Sequence, residues 1–184
     1  MMTNTSELTT ISKFMSLVLR HRPEKIGLVL DSAGWAGVDD LLRLSAAAGR
    51  PFTHGDLVDV VTSSDKQRFA LSEDGLRIRA NQGHSVEVDL DLPALVPPDV
   101  LFHGTARRFL DAILREGLSR RARHHVHLTA NRDTAVAVGT RYGAPVLLRI
   151  DAARMRADGH VFRCSANAVW LAEAVPARYL EAMD

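Results

Sequence analysis

Three prolines, Pro93, Pro97 and Pro98, fall in the stretch VDLDLPALVPPD near the middle of the chain. A proline removes a backbone donor and fixes its own φ, so neither a helix nor a central strand runs through this stretch. The sequence on either side follows two different patterns, which divides 184 residues into an expected lobe at 1–92 and another at 93–184. Two small lobes are within reach of this length, as is one large domain.

Before the prolines the pattern is helical, then a hairpin. Ile11, Phe14, Met15, Val18 and Leu19 recur at the spacing of one helix face, and Pro23 stops the run. GLVLD reads as a short extended piece. A helix follows from about Val38 to Ala48, ended by Gly49 and Pro51. Thr53 with Asp56 three residues on predicts a capping box for the next helix. QRFAL and LRIRA alternate around SEDG, the signature of a hairpin. Helices closed by a hairpin make a winged-helix-like lobe. After the prolines the chain turns to short apolar strands, VLFH, VHL, PVLLRI, HVF and AVWL, with helices at about Arg107–Glu116 and Asp133–Val138. The expected class is α+β, with a β-rich second lobe.

Composition narrows the function classes. A chain 46% hydrophobic and 24% charged is that of a folded soluble protein. The formal charge of +1 shows no overall basic excess, so an anion site must come from local clustering. Cys164 is the single cysteine, which excludes an internal disulfide framework and a CxxC metal site. No stretch suits a signal peptide or nears about 18–20 consecutive apolar residues, so a cytoplasmic protein without membrane attachment is expected.

Four places gather polar groups that core building does not need: RHRP at 20–23, DKQRF at 65–69, RANQGHS at 79–85 and RRARHHVHLT at 120–129. Arg20, His21 and Arg22 sit at a helix end, where cations complement the macrodipole by about 0.3–1 kcal/mol each; an anion site there is the other reading. His125 and His127 share a strand face and admit a metal reading, but nearby ligands of the kinds zinc uses are missing and no metal is expected. Guanidinium groups bind phosphate oxygens bidentately, so arginines drawn from distant segments suit a phosphate dianion. In LFHGT a strand is read as ending at His103, after which Gly104 admits a close backbone approach by a ligand and Thr105 offers a hydroxyl; an ordinary strand-end turn fits the same residues.

Taken in order, SKFMSLVLRHRPEKIGLVLDSAGWAGVDDLL, KQRFAL, RANQGHS, LFHGT, RHHVHLT and ANAVWL resemble the RNA 2′-phosphotransferase family, in the manner of a bacterial-type member, from about Ile11 to about Pro176. The resemblance implies a winged-helix RNA lobe joined to an ADP-ribosyltransferase-like NAD lobe. It implies removal of an internal RNA 2′-phosphate by transfer to NAD⁺ as co-substrate, a reaction that clears the ligated junction in fungal and plant tRNA splicing. The family's catalytic Arg-His-Arg-Arg set falls on Arg20, His21, Arg68 and Arg123. The NAD side falls on His103, Gly104 and Thr105, then His127, Leu128 and Thr129, and on Val169, where protein-modifying relatives carry a glutamate. Arg22, Asn81, Gln82, His84 and Ser85 are expected on the RNA side. Two positions depart from the family's commoner residues: Ala168 stands for glycine and Thr129 for serine.

A monoester phosphate is already anionic near neutral pH, so the missing glutamate fits a nucleophile that needs no base. The implied route has two steps. The 2′-phosphate attacks the nicotinamide ribose to give an ADP-ribosylated RNA; the ribose 2″-hydroxyl then displaces the RNA, leaving ADP-ribose 1″,2″-cyclic phosphate. Arg20, Arg68 and Arg123 would hold the phosphate, and His21 would donate a proton or hydrogen bond in the second step. The expected partners are an RNA with an internal 2′-phosphate and NAD⁺, met by a monomer. Two other readings stand beside this one: an ADP-ribosyltransferase acting on nucleic-acid phosphates that stops after the first step, and a non-catalytic nucleic-acid-binding module.

Overall fold

The computed structural model describes residues 5–64 and 66–183; Asp65 of DKQRF and the outermost residues of the two expected lobes lie outside the described residues. The chain is a mixed α+β protein that divides into two compact units, Met1–Asp91 and Leu92–Asp184.

In the first unit, α1 (Thr5–Arg20) buries Met15, Val18 and Leu19, the face that the spacing predicts. The helix gives way before Pro23, which instead opens a 3₁₀ turn (Pro23–Ile26), a position where its missing N–H costs nothing. Residues 28–31, read as extended, join no ladder. The Asp31 carboxylate accepts from the N–H groups of Ala33 and Trp35, both at 2.9 Å, and that local turn competes with strand pairing. The ladder begins at β1 (Ala36–Gly37), followed by α2 (Val38–Ala47) and α3 (His54–Thr62). Thr53 and Asp56 form the expected capping box, each satisfying the other's backbone N–H. The hairpin of β2 (Phe69–Leu71) and β3 (Arg77–Ala80) pairs Ala70 with Arg79, and β1 lies on the other side of β3. Leu41, Leu57 and Ile78 close the core under α1.

The second unit is built on β4 (Val100–Ala106), α4 (Leu110–Glu116) and β5 (Leu118–Ser119), then β6 (Val126–Leu128), α5 (Arg132–Gly139) and β7 (Pro145–Asp151). The chain goes on through α6 (Ala152–Ala157), β8 (Phe162–Cys164), β9 (Trp170–Ala172), β10 (Ala174–Val175) and β11 (Leu180–Met183). Its antiparallel sheets run β11-β7-β4, β6-β9-β8 and β10-β5. Phe102 and Thr129 exchange backbone hydrogen bonds of 2.7 and 3.0 Å, which stitches the first two sheets together. Leu101, Leu148, Ile150, Met155 and Phe162 form the core. The proline stretch does not hang free throughout: Leu95 N–H donates to Phe162 at 2.9 Å, and the Arg163 guanidinium donates to the Leu92 carbonyl.

Two readings of LFHGT change. The strand does not end at His103 but runs on to Ala106, because β7 supplies partners as far as Pro145. Gly104 is bare for the sake of a helix. A Cβ placed on it would stand 1.6 Å from the Ala135 carbonyl oxygen and 2.9 Å from the Gly139 nitrogen, both in α5. Gly139 returns the contact, since its own Cβ would meet the Thr105 carbonyl at 2.6 Å. The pair of glycines lets α5 press its backbone onto β4. Among the described residues no helix is long and apolar enough to cross a membrane.

Candidate functional site

Within the first unit, five of the sequence-selected residues converge. Arg20 ends α1, and its guanidinium donates to the Arg68 carbonyl at 3.1 Å while lying 5.7 Å from the centre of the Phe69 ring. The same carbonyl accepts the Asn81 N–H at 2.9 Å, which extends the hairpin ladder by one pair. The Arg20 carbonyl in turn accepts from Ser85 N–H at 2.9 Å and Val86 N–H at 3.3 Å. His21 Nδ1 and Ser85 Oγ stand 3.0 Å apart. Helix end, strand start and the turn after β3 are thus tied together mainly through backbone atoms, with the Arg20 guanidinium on the Arg68 main chain and His21 beside Ser85.

The approach to Arg68 is bent. Gln67 has φ +38°, and the buried Asn81 holds it by donating Nδ2–H to the Gln67 carbonyl at 2.6 Å. The Arg68 guanidinium reaches Ser64 Oγ at 3.3 Å, and no carboxylate among the described residues pairs with it. His84 is 2% exposed, so it packs inside the unit beside Gly34. Gln82 is half-buried and Ser85 exposed. Arg22 stands apart from the cluster, exposed and paired with Glu24 at 3.5 Å.

A second cluster forms within the second unit. His103 on β4 and His127 on β6 are brought together by the Phe102–Thr129 stitch. The His127 carbonyl can only accept, so His103 donates Nδ1–H to it at 2.9 Å and keeps Nε2 as an acceptor. Burial pushes the His103 imidazole below its ordinary value of 6.5; the hydrogen bond to His127 opposes this and the Arg123 charge adds to it. The ring is therefore neutral at pH 7. The Arg123 guanidinium, which has only donors, reaches His127 Nδ1 at 2.6 Å, so His127 accepts there and carries its proton on Nε2. One imidazole offers an acceptor and the other a donor.

The remaining second-unit positions support this pair. Thr105 and Leu128 are buried, at 6% and 2% exposed, in the frame of β4 and β6. Thr129 Oγ1 accepts from Asn131 N–H at 3.1 Å, fixing the start of α5. Val169 follows a tight turn in which Ser165 N–H donates to the Val169 carbonyl at 3.0 Å. Ala168, in that turn, has φ +59°, a left-handed conformation that explains why glycine suits the position. Sequence reasoning passed over Ser165, whose buried hydroxyl donates to Asn167 Oδ1 at 2.7 Å, and over Gln67; a left-handed backbone at a non-glycine residue leaves no sequence signal. Among the described residues, no group of three or more His, Cys, Asp or Glu side chains is placed to hold a metal ion.

A model of the "RNA 2'-phosphotransferase, Tpt1 / KptA family" matches residues 6–174. Similar proteins include a "Probable RNA 2'-phosphotransferase" of Agrobacterium fabrum, 60% identical over 94% of this chain and 92% of that protein. Proteins of the same description from Acaryochloris marina and Streptomyces griseus are 52% and 54% identical, over 94% and 92% of this chain and 96% and 94% of theirs.

Proposed function

The chain belongs to the RNA 2′-phosphotransferase, Tpt1 / KptA family, and from that membership together with the two clusters we propose that it transfers an internal RNA 2′-phosphate to NAD⁺. The observation that carries this reading is the first-unit trio. Arg20, His21 and Arg68 stand on segments that main-chain bonds and the His21–Ser85 contact tie together before any ligand arrives, and they bring two guanidinium groups and an imidazole to one end of the unit. Such a set suits a phosphate dianion. On this reading the first unit is the winged-helix-like RNA lobe, 1–92, and the second the ADP-ribosyltransferase-like lobe, 93–184.

The imidazole pair supports NAD⁺ as the co-substrate. The acceptor Nε2 of His103 suits a ribose hydroxyl and the donor Nε2–H of His127 a ribose or amide oxygen, and the resemblance adds Thr129 and Val169 to the same set. NAD⁺ supplies an electrophilic anomeric carbon and nicotinamide as leaving group. An oxygen of the RNA 2′-phosphate forms the new bond to that carbon, and the C–N bond breaks with its electron pair leaving on nicotinamide. In the second step the adjacent ribose 2″-hydroxyl bonds to phosphorus and the bond from phosphorus to the RNA 2′-oxygen breaks. The proton lost by the hydroxyl is balanced by the one gained on the RNA 2′-oxygen.

Arg20 and Arg68 neutralise the phosphate in both steps, and the family resemblance assigns Arg123 to the same catalytic set. The phosphate oxygen is an anion already, so an apolar Val169 costs the reaction no base. His21, an imidazole whose ordinary pKa lies near neutrality, delivers the proton to the departing 2′-oxygen.

The test is incubation with an RNA carrying one internal 2′-phosphate, with and without NAD⁺. The expected outcome is NAD⁺-dependent loss of the phosphate with release of nicotinamide and ADP-ribose 1″,2″-cyclic phosphate. His21→Ala is expected to slow the second step, so that ADP-ribosylated RNA accumulates; a second step at the wild-type rate would remove His21 from this role. Accumulation of that species by the unaltered protein would identify a one-step transferase, and no reaction at all would overturn the proposal.

A further inference from the structure

The three-stranded sheet of the first unit has a face that its core does not use. Phe69, Leu71, Ile78 and Ala80 point into the core, so their neighbours point away. The register pairs Ala70 with Arg79 and Gly37 with Arg77, and the Asn81 N–H bond to the Arg68 carbonyl carries the same register one pair further. Arg68, Arg79 and Arg77 therefore fall in successive rows on one outward face. Trp35 is opposite Arg79 one row beyond the Ala36–Ile78 pair.

Two details make this row more than scattered surface charge. Both guanidinium groups lie over the Trp35 ring, Arg79 at 4.6 Å and Arg77 at 5.4 Å from its centre. The half-buried indole holds both guanidinium groups within cation–π range, and Arg77 is also paired with the Asp31 carboxylate at 3.8 Å. Their neighbours on that face, Gly37, Ala70 and Ser72, are small and leave room along the row. Successive rows are about 7 Å apart along the strand, close to the step between consecutive phosphates on an extended nucleic-acid strand.

The face also has an end. At Arg77 and Trp35 lies an open hollow of about 480 Å³, closed on its far side by Glu73 and Asp74 of the β2–β3 turn. The Ser72 hydroxyl donates to Asp74 and holds its carboxyl below the usual range, so it is an anion there. Asp31 stands 3.8 Å from Arg77 at the side. Carboxylates repel a phosphate backbone and confine it to the arginine row.

We infer that single-stranded RNA flanking the reactive phosphate runs over this face, its backbone phosphates met by Arg79 and then Arg77. The inference rests on the reading that Arg68 holds the 2′-phosphate. It names a subsite for the RNA chain that the reaction chemistry itself does not require.

The experiment compares a 2′-phosphorylated dinucleotide with a single-stranded oligonucleotide carrying the same group internally, using the full chain and its Arg77→Gln/Arg79→Gln variant. The ratio of kcat/KM for oligonucleotide over dinucleotide is expected to fall roughly tenfold, as loss of one exposed and one half-buried charge contact implies. The slope of log(kcat/KM) against log salt for the oligonucleotide should become shallower by about 1.4. An Arg77→Lys/Arg79→Lys variant should keep most of the salt slope. Binding of the same oligonucleotide without its 2′-phosphate, followed by fluorescence anisotropy, should weaken in the Gln variant and in parallel. An unchanged ratio and slope would overturn the inference, as would an equal loss on both substrates. Should the unaltered protein turn over neither substrate, the phosphotransferase reading fails by itself, and the anisotropy measurement still decides whether the row binds RNA.

Discussion

Gly104→Ala separates two reasons for a glycine beside His103. If the bare backbone serves a ligand, the variant folds as before and loses affinity for NAD⁺. If it seats α5, the variant loses stability first. The geometry favours the second. The new Cβ would lie 1.6 Å from the Ala135 carbonyl oxygen and 2.6 Å from its carbonyl carbon, while ordinary contact begins at 3.4 Å, so α5 must retreat by the difference, about 1.8 Å. The obstacle is main chain, and no side-chain rotation relieves it. Overpacking typically costs about 1–3 kcal/mol, and a collision with backbone belongs at the upper end or beyond. About 3 kcal/mol lowers Tm by roughly 6–12 °C in a chain of this size. Thermal unfolding followed by circular dichroism reads this directly. Gly139→Ala, whose Cβ would meet the Thr105 carbonyl at 2.6 Å from the other side of the same contact, should behave alike. A Gly104→Ala protein melting within about 2 °C of the parent, with only its KM for NAD⁺ raised, would refute the reasoning.

Other expectations follow from single observations. Ala168→Gly relieves a left-handed alanine at φ +59° and should raise stability by about 0.5–1 kcal/mol in chemical denaturation; no gain would mean the turn is not strained. Asn81→Ala strips the Gln67 carbonyl of its 2.6 Å partner and should cost about 1–2 kcal/mol, together with weaker binding of the 2′-phosphorylated RNA as the bend before Arg68 loosens. His103 is held below 6.5 in the folded chain, so beneath that pH the unfolded chain binds more protons. Its stabilising contribution is complete above 6.5 and is lost as pH falls through 6.5 toward the folded value. Urea unfolding at about pH 7.5 and pH 5.5 should show the drop, and His103→Asn should reduce it.

Local rules reached far into this fold. The apolar spacing of α1, the Thr53–Asp56 capping box and the β2–β3 hairpin could be read off because each depends on residues a few places apart. The strand from Val100 runs past His103 because its far end is decided by β7, about forty residues away, and the α5 backbone that Gly104 faces is hidden from the sequence for the same reason. α6 and β11 carried too little periodic signal in six and four residues to be seen. At the site, the residue types in RHRP and RHHVHLT pointed to anion and polar chemistry, but only the resemblance joined Arg20 to Arg68. The contact itself is a guanidinium on a carbonyl, and every residue has a carbonyl.

That last point bears on how the chain tolerates change over time. The groups that hold Arg20, His21, Arg68 and His103 in place are largely main-chain atoms: the carbonyls of Arg68, Arg20 and His127, and the N–H groups of Asn81, Ser85 and Val86. Replacing a side chain at such a position leaves its peptide group intact, so the scaffold around these four residues is insulated from most single substitutions. Lengthening or shortening the chain is another matter. One residue added or removed between Asn81 and Ser85 would shift which peptide faces Arg20 and carry Ser85 away from His21. Drift in residue type is cheap in this stretch, and drift in its length is not.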